Sequence, residues 1–130
     1  MREVEGNHPI RIILDTKATL RSIKCTEEEG TTIVLNTVKD EKNDSITYVK
    51  IKDMQPMSIL HELYTQNIQS VIVEGGAATL NAFIKSNLWD EACVFIGQTE
   101  FEYGTKAPKI TGAHTTQTHF GDLVNFYRNT

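Results

Sequence analysis

Residues 71–80, Val-Ile-Val-Glu-Gly-Gly-Ala-Ala-Thr-Leu, constrain the fold of this chain more than any other stretch. Val71, Ile72 and Val73 are β-branched, stiff at χ1 and suited to a pleated surface, so they predict a short buried strand within Ile68–Glu74. Glu74 stands where that strand runs out. A buried strand end is a costly place for an unpaired carboxylate, which argues for a task. Gly75 and Gly76 allow a tight turn with close backbone approach, and helical character begins at Ala77. Strand, glycine pair and helix N-terminus in succession present free N–H groups and the positive end of a helix dipole, a site suited to an anion. The same turn also serves as a packing device, and the residues alone leave both readings open.

The rest of the chain supplies partners for such a unit. Arg11–Asp15, Thr32–Asn36 and Ile46–Ile51 read as strands, with a charged loop over Lys39–Ser45. Pro56, Met57, Leu60, Leu63, Tyr64 and Ile68 give the spacing of an amphipathic helix. Leu80, Phe83, Ile84 and Leu88 define the apolar face of a second helix that stops near Ser86-Asn87. Glu91–Gly97 reads as a strand, residues 98–112 as a loop, and Thr115–His119 with Leu123–Arg128 as a closing hairpin around Phe120-Gly121-Asp122. Strands alternating with helices predict one α/β domain of two or three layers over residues 1–130.

Charge and composition narrow the partners. Thirteen basic and 17 acidic residues give a net charge of −4, and no Lys/Arg stripe marks a nucleic-acid surface. No segment has the apolar length of a membrane span, and the N-terminus lacks a signal-peptide apolar core. Cys25 and Cys93 stand far apart, outside any Cys-x-x-Cys pattern, and read as free thiols in a reducing compartment, so a cytoplasmic protein is expected.

Candidate chemistry outside the glycine turn is sparse. His8, His61, His114 and His119 have no metal-ligand spacing, so no metal is expected. Asp90-Glu91 reads as a solvated edge, as does Glu27-Glu28-Glu29. No Gly-x-Ser-x-Gly, P-loop or Gly-x-Gly-x-x-Gly fingerprint is present, which removes the standard Rossmann reading. Asp15-Thr16 closes its strand much as Glu74-Gly75 closes the later one. In a parallel sheet both ends line one edge, where ligands bind. Thr16 offers a hydroxyl there, and Lys17 or Arg21 a cation for a phosphate; a plain polar turn is the equal alternative.

In order along the chain, three segments resemble a known family. His8-Pro9-Ile10-Arg11-Ile12-Ile13-Leu14-Asp15-Thr16 is similar to the Asn-Pro-x-Arg-x-Val-Leu-Asp-Ser segment of the riboflavin-biosynthesis pyrimidine reductases, the reductase half of RibD-type proteins. Ile68–Gly76 through Leu88-Trp89-Asp90-Glu91 resembles their Val-Glu-Gly-Gly, helix and Leu-Val-Asp-Glu motif. Phe120-Gly121-Asp122-Leu123 resembles their Gly-Asp-Asp-Val hairpin.

The resemblance implies a dihydrofolate-reductase-like mixed sheet flanked by helices, with a C-terminal antiparallel hairpin. It further implies NADPH-dependent reduction of 5-amino-6-(5-phosphoribosylamino)uracil, a phosphorylated aminopyrimidine, to its ribitylamino product. By position, Glu74 would contact the substrate. Gly75, Gly76, Ala77, Ala78, Thr79, Leu80, Asn81 and Ala82 would lie along the cofactor, and Thr16 near the adenosine 2′-phosphate. The family's Leu-Asp-Gly and Asp-Asp-Pro segments, which precede these motifs, have no counterpart here. The expected fold is therefore incomplete, the latter part of a pyrimidine reductase domain, with a sheet gap beside the Glu-Gly-Gly strand. Proteins avoid such an open edge, so a homo-oligomer is expected. The alternative is a non-catalytic truncated domain serving self-association or ligand binding.

Overall fold

A computed structural model of the chain describes residues 8–20 and 30–130. The expectations for Arg21, Cys25 and Glu27-Glu28-Glu29 lie outside the described residues. The chain divides into two compact units, Met1–Gln69 and Ser70–Thr130.

The first unit contains β1 (Arg11–Leu14), β2 (Thr32–Asn36), β3 (Glu41–Lys42), β4 (Ile46–Lys50) and α1 (Pro56–Thr65). The sheet order is β1-β2-β4-β3. β2 runs parallel to both neighbours, Ile12 opposite Ile33 and Val34 opposite Tyr48, and β3 pairs antiparallel with β4. Flanked on both sides, β2 is buried along its whole length, as the continuous apolar run Ile33-Val34-Leu35 requires of a parallel strand. Within the expected 39–45 loop, Glu41 and Lys42 join the sheet. The Asn43 Oδ1 accepts the Ser45 and Ile46 amides at 3.3 and 2.9 Å, an Asx turn that brings β4 back.

Helix α1 begins with Pro56 in its first turn, where a missing N–H costs nothing. Just ahead of it, the Ser58 hydroxyl and Gln55 amide hold the Asp53 carboxyl below its usual range. The expected apolar spacing is corrected here. Pro56, Ile59 and Leu63 form the buried stripe, while Met57 and Tyr64 are 62% and 74% exposed. Both sets satisfy a 3.6-residue period, and the face that packs is the one Pro56 begins. The helix ends through Asn67 at φ 61°, with the Ile68 amide bonded to the Leu63 carbonyl at 3.0 Å.

The second unit holds α2 (Ala77–Lys85), β5 (Glu91–Ile96), β6 (His114–His119) and β7 (Asp122–Arg128). Its sheet is antiparallel in the order β5-β7-β6, so the expected closing hairpin gains a third strand. Phe120 at φ 50° and Gly121 at φ 92° supply the two left-handed residues of a two-residue hairpin turn. Phe83 of α2 and Val124 of β7 are the buried apolar residues of this unit.

The expected buried strand at Ile68–Glu74 is not formed. Residues 68–76 belong to neither sheet among the described residues. Val71 is 38% and Ile72 87% exposed, and Glu74 is exposed too. β-branched residues favour a strand, but a strand exists only through a neighbour that takes its N–H and C=O groups, and neither sheet supplies one.

Burial separates two substitutions. Leu35→Ala, in the fully buried β2, is expected to cost about 2–5 kcal/mol in urea unfolding. Met57→Ala, on the exposed face of α1, is expected to stay within about 0.5 kcal/mol of the parent chain.

Candidate active site and cofactor-binding elements

Two glycines lead into α2, and among the described residues no side chain caps its N-terminus. Gly76 is the N-cap, in an extended conformation, with no side-chain cap hydrogen bond and no acidic residue in the first turn. The first-turn amides therefore keep their capacity for an anion, reinforced by the helix dipole. The two glycines do different things. A Cβ at position 75 would lie 3.2 Å from the Thr79 Cβ, so Gly75 lets the chain pass close over the first turn. A Cβ at position 76 would meet nothing within 4 Å, so that side of the turn is open. Ala77 and Ala78 add no bulk. Thr79, Leu80, Asn81 and Ala82 follow as half-buried residues of the same helix, and the Leu80 amide makes an early helical bond to the Gly76 carbonyl at 3.2 Å. Glu74 precedes this turn as an exposed carboxylate, which corrects the expectation of a buried one. The donor set fits the pyrophosphate of a dinucleotide: backbone amides at a helix start, with small residues at the approach.

Thr16 lies in the first unit, in the loop that follows β1. Asp15, 8% exposed, turns its carboxylate into that loop. Oδ2 accepts the Leu20 amide at 2.8 Å and Oδ1 the Thr19 hydroxyl at 3.2 Å. The Leu20 amide foremost, then the Thr19 amide and hydroxyl, hold the Asp15 carboxyl below its ordinary range against the opposing effect of burial. Asp15 is an anchor, and Thr16 and Lys17 are exposed beyond it.

Two residues that the sequence reading passed over complete this loop. Asn36, at the end of β2, is 0% exposed. Its Oδ1 accepts the Val38 and Lys39 amides at 2.9 and 2.7 Å. Its Nδ2 donates to the Val49 and Val34 carbonyls at 3.2 and 3.4 Å. The turn so formed places Thr37 beside the β1 loop, where its amide and hydroxyl both donate to the Thr16 carbonyl at 3.0 and 2.9 Å. An Asn-Thr pair after an apolar run signals a turn, but its acceptor 21 positions away leaves no trace in local sequence.

Glu91 and Arg128 form an exposed ion pair at 2.8 Å across β5 and β7, of a kind worth little in water. The His114 ring lies 4.7 Å from that of Tyr127. Among the described residues no group of three or more His, Cys, Asp or Glu side chains is placed to share a metal ion. No helix among them is long and apolar enough to cross a membrane.

The model of the RibD C-terminal domain matches residues 1–125, and the chain belongs to that family. It is 32% identical over 111 residues to the riboflavin biosynthesis protein RibD of Aquifex aeolicus (strain VF5), covering 80% of this chain and 28% of that protein. The crystal structure of a diaminohydroxyphosphoribosylaminopyrimidine deaminase/5-amino-6-(5-phosphoribosylamino)uracil reductase from Thermotoga maritima matches with a TM-score of 0.75 at 25% identity, covering 97% of this chain and 39% of that one. The riboflavin biosynthesis reductase Rib7 of Saccharomyces cerevisiae matches with a TM-score of 0.73 at 25% identity, covering 94% and 70%. The chain thus spans less than half the length of the first two relatives. The expected fold, a dihydrofolate-reductase-like mixed sheet with helices and a closing antiparallel hairpin, agrees with these neighbours and with the two sheets.

The Asp15 anchor has a pH signature. Its carboxyl sits below the ordinary value of 3.8, so its contribution to stability is complete above that pH and disappears as pH falls through the folded value. Asp15→Asn is expected to lower the thermal midpoint at neutral pH. The gap to the parent chain should close in acid below about pH 3.8, as read by circular dichroism melts across pH.

Proposed function

We propose that this chain carries part of the cofactor and substrate site of a pyrimidine reductase that uses NADPH to convert 5-amino-6-(5-phosphoribosylamino)uracil to its ribitylamino product. The observation that carries this reading is the uncapped, glycine-led N-terminus of α2, directly after Glu74, in a member of the RibD C-terminal domain family. Its residues bind and orient. The amides from Gly76 onward receive the cofactor pyrophosphate, with Gly75–Ala82 along the dinucleotide. Thr16 and Lys17 face its 2′-phosphate. Glu74 accepts a hydrogen bond from the neutral, N–H-bearing part of the pyrimidine and so orients it. NADPH, when bound, supplies the hydride that reduces the sugar carbon, and the protein's share is to hold the two reactants in contact.

Both units belong, in this reading, to the latter part of one reductase domain, and the enzyme is cytoplasmic. Residues 70–74 need a strand partner, and we infer a homo-oligomer in which another copy covers this segment.

Two measurements test the reading. Incubation with NADPH and the phosphoribosylaminouracil is expected to consume the absorbance of the reduced nicotinamide. A hydrogen bond to a charged group is worth about 1.5–3 kcal/mol, so Glu74→Gln is expected to lower kcat/KM about ten- to a hundredfold. Unchanged kinetics in that variant would remove Glu74 from the site. Light scattering that shows a stable monomer at micromolar concentration would overturn the oligomer.

A further inference from the structure

We propose that Asn36 and Thr37 are positioning residues that fix the Thr16-Lys17 peptide for recognition of a phosphate monoester on a nucleotide ribose. The inference rests on the cofactor reading above and assigns its preference for a 2′-phosphorylated adenosine to a side-chain relay from β2.

Asn36 is an expensive residue to place where it is. It ends a strand buried on both faces, and a side-chain amide there costs about 1–3 kcal/mol for each group left unpaired. Valine would continue the Ile33-Val34-Leu35 run and ask for no partners. The strand itself therefore gives no reason for asparagine. What the side chain accomplishes lies beyond the strand. Oδ1 gathers the Val38 and Lys39 amides, while Nδ2 is tied to carbonyls of β2 and β4. The chain is turned immediately after β2, and Thr37 is delivered to the β1 loop.

Thr37 then gives two donors to one acceptor, the Thr16 carbonyl, at 3.0 and 2.9 Å. A carbonyl bound twice fixes the plane of the peptide that joins Thr16 to Lys17, and with it the direction in which both side chains leave the backbone. From within the loop Asp15 holds the Thr19 hydroxyl and the Leu20 amide, so the segment is clamped at both ends. Thr16 and Lys17 themselves remain exposed. A hydroxyl and an ammonium on adjacent, clamped residues suit a dianionic phosphate monoester, the first as a directed donor and the second as a point charge. Lys39, which follows β2, is engaged with Glu41 and lies over the Tyr48 ring.

Calorimetric titration of the full chain with 2′,5′-ADP and with 5′-AMP, which lacks the 2′-phosphate, tests the relay. The parent chain is expected to prefer 2′,5′-ADP. Thr37→Val removes the hydroxyl donor and keeps the backbone donor. It should weaken 2′,5′-ADP about fivefold, the worth of one neutral hydrogen bond, and leave 5′-AMP within about twofold. Thr37→Ser should restore the preference. Asn36→Val, which removes the acceptor for the Val38 and Lys39 amides, should lose it; where Asn36→Val does not fold, the Thr37 pair decides. Equal weakening of both probes in Thr37→Val, or an unchanged preference, overturns the relay while the cofactor reading stands. A parent chain that shows no preference for 2′,5′-ADP overturns the cofactor reading, and the relay with it.

Discussion

β2 cannot leave a polar group unpaired, and the first unit is organised around that constraint. A central parallel strand buried on both faces has no water to turn to. β1 and β4 take up its backbone through Leu35, and the Asp15 amide to the Leu35 carbonyl (3.0 Å) and the Ile51 amide to the Asn36 carbonyl (2.7 Å) continue the pairing to the strand's end. There the chain must leave the ladder, and the next amides need acceptors. Asn36 provides them from a side chain that is itself fully satisfied, the condition under which a buried polar network stabilises rather than costs. The same bonds that close the strand shape the loops at its carboxyl end, so the core's demand for pairing and the shape of the proposed nucleotide edge have one cause.

Residues 68–76 present the opposite case. Val71, Ile72 and Val73 have strong strand preference and no ladder, because strand pairing is non-local and depends on a neighbour. Helix α2, directly after them, forms without such help. Its hydrogen bonds are internal, Phe83 is buried beneath it, and the Leu88 amide bonds to the Phe83 carbonyl at 3.1 Å where the helix ends. The turn-and-helix half of the strand-turn-helix unit is thus formed in this chain, while the strand that would seat Glu74 in a buried sheet is unpaired. That asymmetry follows from local against non-local bonding, and it accounts for an exposed Glu74 beside a well-formed helix start.

The same distinction explains what could be read from the sequence. The Gly75-Gly76 turn, α2 and the hairpin at Phe120-Gly121 were legible because each is specified by adjacent residues. The family resemblance carried the fold class, which the comparisons support. The strand at Ile68–Glu74 was misread because a β-branched run states a preference and says nothing of a partner. The packed face of α1 was misread because two residue sets share one period, and only the structure shows Pro56, Ile59 and Leu63 inside. Asn36 and Thr37 were missed because their acceptors lie in β4 and in the β1 loop, far along the chain.

The two proposed phosphate-binding elements differ in kind, and that difference bears on how cofactor preference can be set. At α2 the donors are main-chain amides, which survive almost any substitution except one that fills the open side of Gly76. Such a site recognises a pyrophosphate common to all nicotinamide dinucleotides and discriminates little among them. At the β1 loop the donors are side chains, Thr16 and Lys17, held by Asp15 on one side and by the Asn36–Thr37 relay on the other. A group present on one cofactor and absent from another is best distinguished where each contact can be altered singly, since specificity is a difference between affinities. On the proposed reading, the helix start of α2 supplies affinity for a pyrophosphate. Selectivity for a 2′-phosphate is set at the β1 loop, and depends on a buried asparagine that never touches the ligand.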